Sequence, residues 1–508
     1  MTKVNTAAEP AQKISKRTLL TYSVGGIGRD MSYTLYSTFL LTFILYTKSL
    51  SDLQFTAISI IMIICRIWDA VNDPIMGVII ENTRTKWGKF KPWIFIGVIS
   101  NSVVLVSLFS MRLQSWSFVV FFAFMYLIWD ITFTMNDIGY WSMLPSLTSN
   151  SKDRNLLTSL ANVFAGMGSI ISVSLIPILT VGKDTIGGNT VTAYACVSAI
   201  IACCFIGGQM MTVFGVQERN VCVDKSEPSI GLGKIVKIII KNDQLLWVAL
   251  VMLLYNTGSA IITGLGTNYI YFQYGYNGSF VTKFVVTFGA ASGIIMLLFP
   301  ALCAKLTRKA LITIAIIMVI LGYSAIFLIS LISTNYYILC VCGAFIGLGQ
   351  STIYMVLTVN ITNTVEYNEW KTGSRNEGII FSIRPFMAKM GSALQSAVIM
   401  IVYLALGVTD FTNKISDAEN SMYKGIITEG EKLNQINGIL ASVPEKTTLY
   451  MRACMVAVPM ILLLASYIIL IKKCTIDEKK YNEMVADIAQ RKELKSQSCA
   501  AEETVTVD

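Results

Sequence analysis

The run Arg66-Ile67-Trp68-Asp69-Ala70-Val71-Asn72-Asp73-Pro74 puts a high density of ionic chemistry into an otherwise apolar stretch. On a helix, Asp69 and Asp73 are four residues apart and project from one face, with Arg66 and Asn72 each three or four residues from one of them. Two carboxylates on one face form an oxygen cage for a hard cation, to which Asn72 adds a carbonyl oxygen. Pro74 lacks an N–H, so the carbonyl of Ala70 loses its usual partner and becomes a further candidate ligand. The competing arrangement is a salt bridge of Arg66 with Asp69, which would leave Asp73 at the helix end.

A second run extends from Trp129-Asp130 through Thr134 and Asp137 to Tyr140-Trp141. Thr134, Asp137 and Trp141 share a helix face at spacings of three and four, and Asp130 lies one heptad back from Asp137 on that face. A carboxylate beside an indole suits a sugar: the acid accepts hydrogen bonds from hydroxyls while the ring covers the apolar C–H face. Trp141 alone would serve equally as an interfacial anchor. Gly28-Arg29-Asp30 adds a third charged group, with Asp30 roughly two turns into its apolar run. Arg384 and Lys389 lie in a late apolar run. Lys389, the only lysine deep in the C-terminal helices, is a candidate counter-ion to the N-terminal acids.

The elements that must position these residues are membrane helices. The chain has 508 residues, of which 54% are hydrophobic and only 14% charged, with a mean hydropathy of +0.61. A soluble chain carries about 25% charged residues, so a soluble multidomain enzyme is excluded. Repeated apolar runs predict an all-α polytopic membrane protein with twelve spans, at 22–48, 53–80, 93–111, 116–145, 156–181, 191–215, 242–272, 280–303, 310–333, 336–361, 379–407 and 449–471. Helices are required because lipid supplies no partners for backbone groups. An ionised group at a helix centre costs about 2.5–3.5 kcal/mol on insertion scales, so each of the residues above is a functional candidate.

The connections alternate in charge. Those expected inside, with both tails, carry 27 Lys and Arg, against 7 in the alternate ones. Both termini are therefore expected to be cytoplasmic in a plasma-membrane protein, and the 408–448 loop, with six acids and four lysines, outside. The expected organisation is a tail at 1–21, a six-helix bundle at 22–215, a central cytoplasmic loop at 216–241, a second bundle at 242–471 and a tail at 472–508. Two bundles of six helices, with a solute site near the midplane between them, is the plan of the major facilitator superfamily.

Several chemistries are absent. With no histidine, imidazole ligands and relays are excluded. The eleven cysteines have no zinc or disulfide-scaffold spacing and read as small apolar helix residues. No nucleotide-binding loop of the Gly-x4-Gly-Lys-Ser/Thr type occurs, which argues against direct ATP drive. An enzyme is not expected, nor a cofactor, nor a nucleic-acid partner.

At these residues the chain resembles the glycoside–pentoside–hexuronide:cation symporters (melibiose permease-like) of the major facilitator superfamily. The matching stretches are Gly28-Arg29-Asp30, Arg66 to Pro74 continuing through Thr83 to Trp93, Thr134 to Leu144, and Thr364 to Gly373 leading to Lys389. The resemblance implies uptake of a sugar or glycoside with Na+, H+ or Li+ by alternating access, in a lipid bilayer and as a monomer. It implies Asp69, Asn72, Asp73 and Thr134 as the cation site. It implies Arg29, Asp30, Asp137 and Trp141 as sugar contacts, with Lys389 linking the two sites. The chain departs from the melibiose permease pattern at Asn162 (arginine there), Gly139 (proline), Asp130 (glycine), Asn363 (an acid) and Asn368 (glycine), and in its long 408–448 insertion. The alternative within the same fold is a Na+-coupled lysolipid carrier, which would want a wide apolar crevice rather than crowded acids. A receptor would need a recognisable signalling domain.

Overall fold

Backbone groups that lipid cannot satisfy are paired within helices along nearly the whole chain. The structure, a computed structural model, describes residues 14–148, 151–218, 239–333, 335–374 and 376–505. The tail before residue 14, most of the central 216–241 connection and the last three residues lie outside the described residues.

The first crossing is composite: α1 (Lys16–Thr34), a π-helical turn (Leu35–Phe39) and α2 (Leu40–Thr47). Arg29 and Asp30 therefore sit near the middle of a continuous helical run rather than at an interface. There follow α3 (Asp52–Asn82), α4 (Lys91–Ser110), α5 (Ser115–Leu147), α6 (Ser151–Thr180) and α7 (Thr190–Gly215). Later come α8 (Asp243–Tyr274), α9 (Gly278–Lys305), α10 (Arg308–Ile332), α11 (Tyr336–Thr372) and α12 (Glu377–Ala405). The chain then forms α13 (Val408–Tyr423), α14 (Glu429–Ala441), α15 (Glu445–Lys473) and α16 (Glu478–Val505). Among the described residues, eleven of these helices are long and apolar enough to cross a membrane, and the composite 16–47 run makes the twelfth. Local signals set the ends: Ser51 and Gln54 form a capping box on α3, and Pro92 sits in the first turn of α4.

The chain groups into two compact units, Met1–Asp224 with Thr267–Val286 and Ser396–Tyr450, and Lys225–Gly266 with Thr287–Gln395 and Met451–Asp508. In the first, α1 packs on α6 and α7, α4 on α5 and α7, and α3 on α5. Close approach is bought with glycine: a Cβ at Gly97 would stand 2.7 Å from the Asn136 backbone nitrogen, so α4 and α5 touch main chain to main chain there.

The 408–448 insertion, expected as a loop, is a helical hairpin seated on the first unit. Asn413 pairs with Leu50 in both directions, accepting its N–H at 2.9 Å and donating to its carbonyl at 2.7 Å. Asn420 donates to the Thr47 carbonyl at 3.0 Å, and Thr409 to Asp52 at 2.8 Å. In the second unit, α10 packs on α11, and the tail is ordered helix rather than frayed. Glu478 accepts the Arg308 backbone N–H at 2.7 Å, while Trp370 donates its indole N–H to Asp487 at 2.9 Å.

Candidate functional site

Arg29 is the centre of the site. It is buried on α1, yet its guanidinium carries two acids: Asp30 at 2.5 Å and, across the helix interface, Asp137 of α5 at 3.2 Å. Its carbon lies 4.7 Å from the Tyr140 ring centroid and 4.8 Å from that of Trp141, so the cation is also faced by two aromatic rings. Tyr22 and Tyr140 stack at 4.4 Å, and each donates its hydroxyl to the other's backbone carbonyl at 2.7 Å. That reciprocal clip fixes the register of α1 against α5 and hence Arg29 against Asp137. The arginine side chain is 4% exposed, but Asp30 and Asp137 keep 23% and 34%. Acids held by a sealed cation and open on their other side are suited to receive solute hydroxyls beside an indole.

One turn back on α5, the Thr134 hydroxyl stands 3.3 Å from a carboxylate oxygen of Asp69 and 3.3 Å from one of Asp73. A hydroxyl has one proton, so it serves one of the two carboxylates at a time. Asn72 is buried, and its amide nitrogen has no hydrogen-bond partner. Among the described residues no group of three or more His, Cys, Asp or Glu is placed to hold a metal ion. The α3–α5 pair therefore offers two carboxylates with neutral oxygens, a set scaled to a monovalent cation. Arg66 lies 5.4 Å from the Tyr36 ring centroid.

The structure thus brings together Arg29, Asp30, Asp137 and Trp141 in one cluster and Asp69, Asp73 and Thr134 in another, with Asn72 on the same helix turn as Asp73. Lys389 is half-buried on α12, in the second unit. Asn162 is exposed and donates to the Thr158 carbonyl of its own helix at 2.8 Å, so it contributes nothing to the cluster. Sequence reasoning missed Tyr22 and the role of Tyr140. A tyrosine is an ordinary membrane-helix residue, and only the pairing across α1 and α5 gives these two meaning.

Residues 21–477 match the family described as MFS/sugar transport protein, and the chain belongs to that family. It is a membrane transporter, not an enzyme. It is 27% identical over 493 residues to the raffinose carrier protein of Pediococcus pentosaceus, covering 92% of this chain and 71% of that one. It is 27% identical to the lactose permease of Lactobacillus helveticus, covering 94% and 73%. It is 25% identical to the isoprimeverose transporter of Lactiplantibacillus pentosus, covering 79% and 84%. The fold is similar to that of a bacterial homolog of the human lysosomal transporter Spinster in an inward-facing, unoccupied conformation, with TM-score 0.62 and 12% identity over 92% of this chain and 97% of that one. It is also similar to the nucleoside transporter NupG, with TM-score 0.55 and 13% identity over 84% and 98%.

Proposed function

We propose that the protein is a secondary symporter that takes up a glycoside or oligosaccharide together with Na+, H+ or Li+ serving the same site. The observation that carries this is the Arg29 cluster: a sealed guanidinium presenting two part-exposed acids beside Trp141, on the helix that also holds Thr134 between Asp69 and Asp73. Relatives named for raffinose, lactose and isoprimeverose carriage support an oligosaccharide or glycoside as solute. Two ionised carboxylates about 6 Å apart repel by roughly 3 kcal/mol at an effective dielectric of 20. A cation or one proton relieves that repulsion. Because Asp137 is three residues from Thr134 on one rigid helix, cation occupancy at one cluster biases solute affinity at the other. The basic connections support a plasma-membrane protein with both termini in the cytoplasm.

The test is uptake into proteoliposomes of labelled raffinose, lactose and related glycosides, with and without an inward Na+ gradient. Asp69→Cys or Asp73→Cys should abolish Na+-driven accumulation while weak sugar binding survives. Accumulation against a gradient that stays Na+-dependent in either variant would overturn the cation assignment.

A further inference from the structure

Asp130 is the acid that the sugar and cation clusters leave without a task. It lies on α5 one turn before Thr134 and is 1% exposed. Tyr36, in the π-helical turn, donates its hydroxyl to Asp130 at 3.1 Å. The Tyr36 ring stacks on Trp129 at 3.3 Å between centroids and meets Tyr126 at 4.9 Å, while the guanidinium of Arg66 lies 5.4 Å from it. Asp130 is close enough to act electrostatically on Arg66 itself. The widened turn, α3 and α5 therefore enclose one buried cation and one buried anion in a shell of aromatic rings.

This enclosure bears on the pair next to it. On α3, Asp69 follows Arg66 by three residues, within reach of a guanidinium on the adjacent face. A guanidinium turned toward Asp69 would neutralise it and take the position of a cation. In the structure Arg66 instead faces Tyr36, and Asp69 faces Thr134. A buried guanidinium is stable only where an anion compensates it, and Asp130 is the carboxylate enclosed with it. The π turn is what puts the Tyr36 hydroxyl on that carboxylate, consistent with the frequent placement of such turns at functional sites.

We infer that Asp130 is a positioning residue for the coupling cation: it holds Arg66 in the Tyr36–Tyr126 shell and so keeps the guanidinium from displacing a monovalent cation at Asp69. The inference rests on the cation-coupled reading above, and the experiment separates the two. The purified full-length protein is titrated with NaCl against choline chloride, reading stabilisation against thermal unfolding, with no sugar present. Asp130→Asn should raise the half-effect Na+ concentration at least roughly tenfold, because Arg66 then competes for Asp69. The double variant Asp130→Asn/Arg66→Gln, which removes the competitor, should return it to within about threefold of wild type. A purely structural role for Asp130 would give no such recovery, and failure to recover overturns the inference.

Tyr36→Phe deletes only the hydrogen bond to Asp130 and should shift the half-effect concentration about threefold in the same direction. It decides the question if Asp130→Asn does not fold: an unchanged Na+ response in Tyr36→Phe then overturns the inference. Wild-type protein with no response to Na+ or Li+ removes the cation reading itself. A wild-type response that Asp130→Asn leaves within about twofold removes only the role of Asp130.

Discussion

Two buried ion clusters in the first unit share their chemistry and differ in access. Around Arg29 the cation is sealed while its two acids keep 23% and 34% of their side-chain surface. In the α13–α14 hairpin, Glu419 and Lys432 stand 3.5 Å apart with no exposed side-chain surface on either. Each hairpin partner also has a fixed backbone group. Glu419 accepts the Thr190 N–H at 2.8 Å, and Lys432 donates to the Gly188 carbonyl at 2.5 Å. A pair whose remaining valences are filled by backbone joins two pieces of structure and has nothing left to offer a solute. A pair whose acids face water exchanges that water for hydroxyls at little net cost. Access, not charge, separates the anchor from the binding site.

The largest effect that tests this contrast is on stability. Lys432→Met leaves the Glu419 carboxylate buried without its cation, a loss of about 3–5 kcal/mol in local stability. Amide hydrogen exchange at Thr190 and along α13 should speed up accordingly, while Asp137→Asn leaves those amides as they are. Unchanged exchange in Lys432→Met would show that the pair is not the anchor. The loss depends on pH. Burial pushes the Glu419 carboxyl up from its ordinary value of 4.5, and Lys432, the Thr190 N–H and the Tyr276 hydroxyl pull it down. Removing Lys432 raises it further. A carboxyl whose folded value is raised contributes stability fully below 4.5 and loses it as pH rises through the folded value. The difference between Lys432→Met and wild type should therefore be small near pH 4.5 and widen toward neutrality.

A smaller effect belongs to the accessible cluster. Asp137→Asn removes a charge that both pairs with Arg29 and faces solvent, and sugar affinity should fall about tenfold, or roughly 1.4 kcal/mol. The Na+ half-effect concentration should move less than about twofold, because Thr134, Asp69 and Asp73 are untouched. Equal losses in sugar and Na+ affinity would merge the two clusters into one site.

Much of this was legible from residue type and spacing. Asp69 and Asp73 four apart, and Thr134, Asp137 and Trp141 at three and four, are consequences of helical periodicity, and both α3 and α5 are helical over those residues. The pairing of Arg29 with Asp137 was not legible, because it depends on how α1 meets α5, and that register is set by two tyrosines 118 residues apart. The hairpin was equally hidden. Polar, charged residues at 408–448 read as loop, whereas their burial against residues 47–52 and 188–190 makes them structure. The π turn at 35–39 carries no local signal, since Leu, Tyr, Ser, Thr and Phe continue an ordinary apolar helix.

The smallest expected effect sets two glutamates of the same hairpin against each other. Thr428 and Glu431 close a capping box at the start of α14: the Glu431 N–H donates to the Thr428 hydroxyl at 3.3 Å, and the Thr428 N–H donates to the Glu431 carboxylate at 2.7 Å. That N–H, followed by the Thr428 hydroxyl, holds the Glu431 carboxyl below its ordinary value of 4.5. Its contribution is therefore present above 4.5 and lost as pH falls through the folded value, opposite in sign to that of Glu419. Hairpin opening followed by hydrogen exchange across pH should weaken on both limbs, with the greater loss on the alkaline side, where the buried residue acts. Glu431→Gln should flatten only the acid limb, and slightly, because the box is solvent-exposed. Glu419→Gln should flatten only the limb above 4.5, because a neutral amide has no charge to desolvate. If both substitutions flattened the same limb, burial would not be what distinguishes the two carboxyls, and the contrast between sealed and accessible charge would lose its physical basis.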